Sequence, residues 1–460
     1  MKFLKKLFAP VDMTLGKPWE DILVFTLPML LGNIAQQLYN TVDSVVVGRY
    51  VGDNALAAVG SAGPIFNLLI VLFIGISVGA GILVSQYFGA KNREELSRTI
   101  GNSLTLTACA SLFVMAVATL LTRPLLELLG TPDSILDWCT SYLHIMFIGI
   151  AGMAFYNILS GILRGMGDSI SALLYLLVAS GLNIALDLLF VAKFEMGVAG
   201  VALATVIAQG VSAVLCMLRL MKMKDAFDMK VTYLKMTKKH AVGIIRLGVP
   251  SGLTQAIMSM AMLVVQSLTN SFGEQFIAAN VIVMRVDGFA MLPNFSFGTA
   301  MTTYAGQNIG AKKFDRVTKG AKQGTFMGLA VSAAITATIL FFGRPFMSIF
   351  TGTESLVNLS MSMMKILAVG YLAMAIIQSL SGVMRGAGDT VTPMWISIIM
   401  TIIIRVPITY GLACLTRSPE LPQGRQESVY ISLLISWILG AIMTGAAYRR
   451  GKWKKKAINF

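Results

Sequence analysis

Stretches of about 20 mostly apolar residues recur from one end of this chain to the other, each long enough to cross a bilayer core as a helix. No other feature constrains the fold as much. Backbone in lipid must satisfy its own hydrogen bonds, so such runs fold as helices. We place twelve spans, at about 21–48, 54–86, 101–121, 138–162, 170–191, 198–219, 242–270, 276–308, 320–341, 357–383, 391–413 and 429–448. Only 13% of the residues are charged and 56% are hydrophobic; soluble domains carry about 25% charged residues. The expected fold class is an all-α polytopic membrane protein.

The placement of charge orients it. The chain has a net charge of +15, and 28 of its 37 Lys and Arg residues fall in the two ends, the even-numbered loops and the span ends that border those loops. Six fall in the odd-numbered loops (Arg49, Arg123, Lys193, Arg344, Arg417 and Arg425) and three deeper inside spans (Arg285, Lys365 and Arg405). Cytoplasmic loops collect basic residues, so both termini are expected in the cytoplasm. A missing span would scramble this alternation. The bases serve topology, and no nucleic-acid partner is expected. Cys109, Cys139, Cys216 and Cys414 show no paired spacing, and His144 and His240 are the only histidines, which argues against disulfides or a His-ligated metal. MKFLKKLFAPVDMTLGKPWED lacks the apolar stretch and cleavage site of a signal peptide and reads as a retained cytoplasmic tail.

The sequence also repeats itself at an offset of 221. SGILRGMGDS (160–169) matches SGVMRGAGDT (381–390), QYFGAK (86–91) matches QNIGAK (307–312), and VGDNALAA (51–58) aligns with FGEQFIAA (272–279). Pro28 and Pro250 match at 222. Each half therefore holds six spans and enters from the same side. The division is a tail at 1–20, an N-lobe at 21–219, a linker at 220–241, a C-lobe at 242–448 and a basic tail at 449–456 that runs on to 460. Parallel repeats of this kind point to a transporter with its central site between two lobes. A channel is less favoured, since no filter-like motif is present. The basic linker, LMKMKDAFDMKVTYLKMTKKHA, is either held to the anionic leaflet or a solvated connector.

Two six-span lobes, LPMLLGN early in span 1, QYFGAK after span 2 and LRGMGDS after span 4 resemble the multidrug and toxic compound extrusion (MATE) family over essentially the whole chain. The resemblance implies a V-shaped pair of lobes. It also implies export of bulky, often cationic compounds, driven by inward sodium or proton flow. The setting would be the cytoplasmic membrane of a prokaryote, with a monomer, amphipathic small-molecule substrates and surrounding lipid as the expected partners.

Asn183 and Asp187 lie at i and i+4 in the apolar fifth span, on one helical face. An ionisable group at mid-membrane is costly, and most such residues face a cavity and work. Asp43 in span 1, Asn157 in span 4 and Thr205 in span 6 add nearby oxygens. Carboxylates with amide and hydroxyl oxygens suit a hard cation such as sodium; the same carboxylates suit a proton, whose binding burial favours. The repeat places Ile404, Ile408 and Val265 opposite Asn183, Asp187 and Asp43, so the carboxylates have no echo in the second half. In N-lobe-coupled MATE members an aspartate in span 1 and Asn-x-x-x-Asp in span 5 line the coupling site, which implies that role for Asp43, Asn183 and Asp187. These three would be the sodium ligands if sodium is the coupling ion. Asn157 and Thr205 match the accessory positions less closely. The alternative is a protonated Asp187 in an interhelical hydrogen bond. Span 7 has Gln255 and no acid where other members carry one, so a second-lobe cation site is not expected.

Candidate residues for a substrate cavity are Gln36, Tyr39, Gln255, Met258, Met262, Met284, Asp287 and Met291. Methionine is flexible and polarizable and suits a pocket that takes differently shaped compounds; methionine stripes also serve as core. Asp287 either attracts cationic substrate or is solvated near a span end, and Arg405 reads as snorkelling or paired. Pro28 and Pro250 read as helix-end prolines or as bends. The RGxGD pairs, Arg164–Asp168 and Arg385–Asp389, read as ties between helix ends. The rivals are a lipid-linked precursor flippase, which would want a more basic cavity, and a membrane enzyme. The latter lacks a nucleophile–base pair or metal motif, so neither catalysis nor a cofactor beyond the coupling ion is expected.

Overall fold

The computed structural model describes residues 10–128, 130–419 and 421–456. Every long element among them is a helix. They are α1 (Pro18–Tyr50), α2 (Asp53–Gly89), α3 (Arg93–Leu128), α4 (Asp133–Ile148 with Ile150–Gly165), α5 (Ser169–Asp187 with a π-helical turn at Leu188–Lys193) and α6 (Gly197–Lys222). After a short helix at Val231–Leu234 come α7 (Lys238–Ser271), α8 (Glu274–Ala290 with Leu292–Gly310), α9 (Phe314–Ser348) and α10 (Glu354–Gly386). The last two are α11 (Val391–Ile398, a π-helical stretch at Ile399–Arg405, then Val406–Leu415) and α12 (Ser428–Arg450). Eleven helices are long and apolar enough to span a membrane, and the two parts of α4, bent by 50° at Gly149, make the twelfth. The bend sits where a Cβ would fall 2.2 Å from Val206 of α6.

The helices outrun the apolar stretches that reveal them. The third span, expected at 101–121, is helical over Arg93–Leu128, and the ninth, expected at 320–341, over Phe314–Ser348. Apolarity marks the part in lipid, while the hydrogen-bonded helix continues into water. Pro28 and Pro250 stand inside α1 and α7, not at helix ends.

The repeat is written into the backbone. Gly52 and Gly273 start α2 and α8 with φ of 104° and 92°, and Lys91 and Lys312 close the QxxGAK motifs at 54° and 58°. Left-handed backbone is uncommon outside glycine, so its recurrence at one offset marks equivalent turns. In each RGxGD loop the glycine is left-handed (Gly167 at 88°, Gly388 at 87°) and the aspartate caps the next helix. Asp168 accepts from Ser171 N at 3.0 Å and Ser171 Oγ at 2.8 Å, and Asp389 from Thr392 N at 3.2 Å and Oγ1 at 2.7 Å. A cation in the last turn of α6 or beyond α12 pairs with each: Arg219 at 2.7 Å from Asp168, Lys456 at 2.7 Å from Asp389. The arginines of the motifs are not the partners of these aspartates; later residues are.

The chain groups into two units, residues 1–13 with Leu27–Gly252 and Thr14–Thr26 with Leu253–Phe460. The boundary thus lies at Gly252, ten residues beyond the expected start of the C-lobe, and Thr14–Thr26 belongs to the second unit. The reason is close packing. Gly75 and Gly79 of α2 face Gly248 and Gly252 of α7, two G-x-x-x-G pairs whose backbones touch: a Cβ on Gly248 would fall 2.3 Å from the Gly75 oxygen. The cores follow this division. Ile76, Leu83, Ile162 and Ile244 belong to one buried cluster of the first unit, and Val283, Tyr371, Met374 and Trp437 to one of the second. In the second unit Arg316 holds residues 14–26, donating to Gly16 O at 2.7 Å and meeting Asp21 at 3.2 Å.

The linker is docked on α3 and is not a loose connector. Arg93 donates to Lys224 O at 2.6 Å and Asp225 O at 2.9 Å and pairs with Asp228 at 2.7 Å. Asn102 Oδ1 accepts from Thr237 N at 2.6 Å, and Thr105 donates to Leu234 O at 2.7 Å. Gly101 permits the contact, since a Cβ there would lie 2.2 Å from the Tyr233 oxygen.

Candidate functional site

In the first unit, Asn183 and Asp187 stand one helical turn apart on α5, and both are fully buried. Asn183 Nδ2 donates to Thr205 Oγ1 at 3.3 Å. Asp187 is the last residue of the α-helical part of α5; the backbone passes into the π-helical turn at Leu188. Such turns often mark functional positions in helices. The side chain of Asp43 lies outside the described residues.

A cavity of about 630 Å³ opens in the same unit, lined among others by Gln36, Tyr39, Asn157, Thr205 and Gln209. Four of the expected residues therefore share one cavity, although Gln36 and Tyr39 are drawn from the substrate candidates and Asn157 and Thr205 from the coupling candidates. Asn183 sits behind its wall, and Asp187 is buried one helical turn further along α5. Thr205 joins the two, lining the cavity and bonding Asn183. Asn157 is committed to the helix, its Nδ2 donating to Met153 O at 2.9 Å. Gln209, one turn from Thr205, lines the cavity too; its i+4 spacing from Thr205 is the signal that sequence reading passed over.

In the second unit the candidates disperse. Met291 is 6% exposed and packs in the core at the break in α8. Gln255 and Met262 are exposed on α7, and Met284, also exposed, accepts from Asn280 Nδ2 at 3.6 Å. Asp287 is half-buried, and Tyr371 Oη of α10 donates to its Oδ1 at 2.9 Å. Arg285 points elsewhere and is exposed. The π-helical stretch of α11 ends on Arg405, whose buried Nε has no hydrogen-bond partner among the described residues. Tyr371 stood in an apolar run, AVGYLAMA, whose lone hydroxyl was the available clue.

No group of three or more His, Cys, Asp or Glu side chains able to hold a metal occurs among the described residues. A MatE family model matches the chain twice, over residues 28–189 and 250–411. The chain belongs to the MATE family. The two matches start 222 residues apart, the same repeat that the QxxGAK and RGxGD motifs display. The probable multidrug resistance protein YoeA of Bacillus subtilis is 32% identical over 449 residues, covering 96% of this chain and 95% of its own. The probable multidrug resistance protein NorM of Thermotoga maritima is 25% identical, covering 95% and 94%. A crystal structure of MATE in complex with MaL6 superposes with a TM-score of 0.90 at 25% identity, covering 97% of this chain and 99% of the other. An outward-facing MATE transporter of the MOP superfamily superposes equally well, at 0.90. This MATE family chain is accordingly a multi-pass membrane transporter and not an enzyme.

Proposed function

We propose that the protein is a multidrug exporter of the cytoplasmic membrane of a prokaryote, both termini inside, expelling bulky cationic or amphipathic compounds in exchange for inward H⁺ or Na⁺. The relatives named as multidrug resistance proteins support the substrate class. The observation that carries the coupling is the arrangement of Asp187, Asn183 and Thr205: a buried amide on α5 joined to the cavity through one hydroxyl of α6, with a buried carboxylate one helical turn further along the same face. A carboxylate with amide and hydroxyl oxygens has the hard donor chemistry of a sodium site. The same carboxylate takes a proton where water is excluded, because burial disfavours its charge. Asp187, Asn183 and Asp43 would hold the cation, with Thr205 completing the set.

Binding the cation changes the charge beside the π-helical turn. A ligand shifts a conformational equilibrium only as far as it binds the two states differently. Cation and substrate then oppose one another through that equilibrium, each lowering the other's affinity by the same factor.

The test is uptake of a fluorescent cationic dye by proteoliposomes under a proton gradient alone and then a sodium gradient alone, with wild type and Asp187→Asn. Transport driven by one gradient and lost in the variant supports the reading and names the ion. Gradient-driven transport that survives in the variant leaves Asp187 as a structural hydrogen-bond partner.

A further inference from the structure

Arg164 ends α4, and its side chain lines the first unit's cavity together with Ser160 and Ser169. Nη1 donates to Ser160 Oγ at 2.7 Å. The aspartate of its own motif is engaged elsewhere, Asp168 with Arg219 at 2.7 Å. Among the described residues Arg164 forms no ion pair, and Ser160 is its hydrogen-bond partner.

That is an expensive arrangement. A guanidinium stays charged at any physiological pH and carries five N–H donors in a flat fork. Inside a protein such a charge is normally paired. Here the fork faces a cavity of about 630 Å³, within the range that encloses a drug-sized molecule. Ser160 fixes one nitrogen, which holds the plane of the fork and directs the remaining donors. Two serine hydroxyls stand at the same end. A planar fork beside hydroxyls matches the oxygens of a carboxylate or phosphate, which take two parallel charge-assisted bonds from arginine.

We propose that the Arg164 end of the cavity is an oxyanion subsite, taking the carboxylate or phosphate of a molecule whose apolar body fills the rest. The cavity then has different preferences along its length: Thr205, backed by Asn183, marks one part, and Arg164 with Ser160 marks the other. Compounds with an acidic group, including zwitterions, enter the range the protein binds. Two sources carry this chemistry, a soluble amphipathic acid and the headgroup phosphate of a lipid. The inference does not depend on the coupling reading, because it is tested by binding without a gradient.

The experiment compares dansylglycine with its methyl ester, the same body without the charge, by fluorescence titration of the purified full chain in neutral detergent. Wild type, Arg164→Gln, Arg164→Lys and Ser160→Ala are measured. Wild type is expected to bind the acid at least tenfold more tightly than the ester. Arg164→Gln is expected to abolish that preference without weakening the ester, and Arg164→Lys to keep part of it. Displacement of the acid by dihexanoyl phosphatidate, but not by dihexanoylglycerol, supports the subsite with lipid phosphate as its source. Retained acid preference with no displacement supports it with a soluble acid as its source. Equal binding of acid and ester by wild type overturns the proposal, as does an unchanged preference in a folded Arg164→Gln. Should that variant fail to fold, the wild-type comparison and the smaller loss expected in Ser160→Ala decide.

Discussion

Gly79 of α2 lies against Ile244 of α7 so closely that a Cβ on Gly79 would fall 2.2 Å from the Ile244 carbonyl oxygen. Backbone cannot yield as a side-chain tip can. Gly79→Val is therefore expected to lower stability by about 1–3 kcal/mol, the usual cost of overpacking, read as a lower Tm in detergent. Gly181→Ala on α5, where nothing lies within 4 Å of the added carbon, is the control. It is expected to leave Tm unchanged or raise it, since alanine favours a helix interior over glycine by about 0.5–1 kcal/mol.

Asp168 does two things at once, capping α5 and pairing with Arg219. Asp168→Ala is expected to cost about 1 kcal/mol for the cap and more for leaving Arg219 without its carboxylate. Asp168→Asn keeps an acceptor for Ser171 N and should recover the cap alone, so its Tm should fall between wild type and the alanine variant.

Thr205→Val removes the hydroxyl that joins Asn183 to the cavity while keeping the side-chain shape. One hydrogen bond is worth about 0.5–1.5 kcal/mol, so the half-saturating concentration of the coupling cation in dye transport should rise by up to about tenfold. Transport with an unchanged cation dependence would remove Thr205 from the site.

Tyr371→Phe strips Asp287 of the hydroxyl bonded to it at 2.9 Å. A half-buried carboxylate then loses a donor, and stability should fall by about 1–3 kcal/mol. Adding Asp287→Asn should give much of this back, a coupling that a double-mutant cycle of Tm values measures.

Arg93 clamps the linker, and its guanidinium beside Asp228 holds that carboxyl below the usual carboxylate range. A lowered folded value contributes stability above the unfolded value and loses it as pH falls through the folded one. The clamp should therefore hold at neutral pH and loosen only under strongly acidic conditions. Because the pair is exposed, high salt should weaken it. Arg93→Gln should raise hydrogen exchange of residues 223–237 at neutral pH, with little change in α10.

Much of this molecule could be read without its structure. Twelve apolar runs dictate twelve helices because lipid offers the backbone no other partners. The repeat was legible because Gly52, Gly167, Gly273 and Gly388 stand where left-handed turns require them. That Asn183 and Asp187 share one face of α5 followed from helical spacing. What only the tertiary structure decided involves partners far apart in sequence. Arg219, and not Arg164, neutralises Asp168. Tyr371 bonds Asp287 across 84 positions. Residues 242–252 join the first unit because glycines of α2 and α7 bring two backbones together. Periodicity reports which face of one helix is apolar. It carries no information about which other helix meets that face, and the charge left over at Arg164 appears only once Asp168 has been assigned to Arg219.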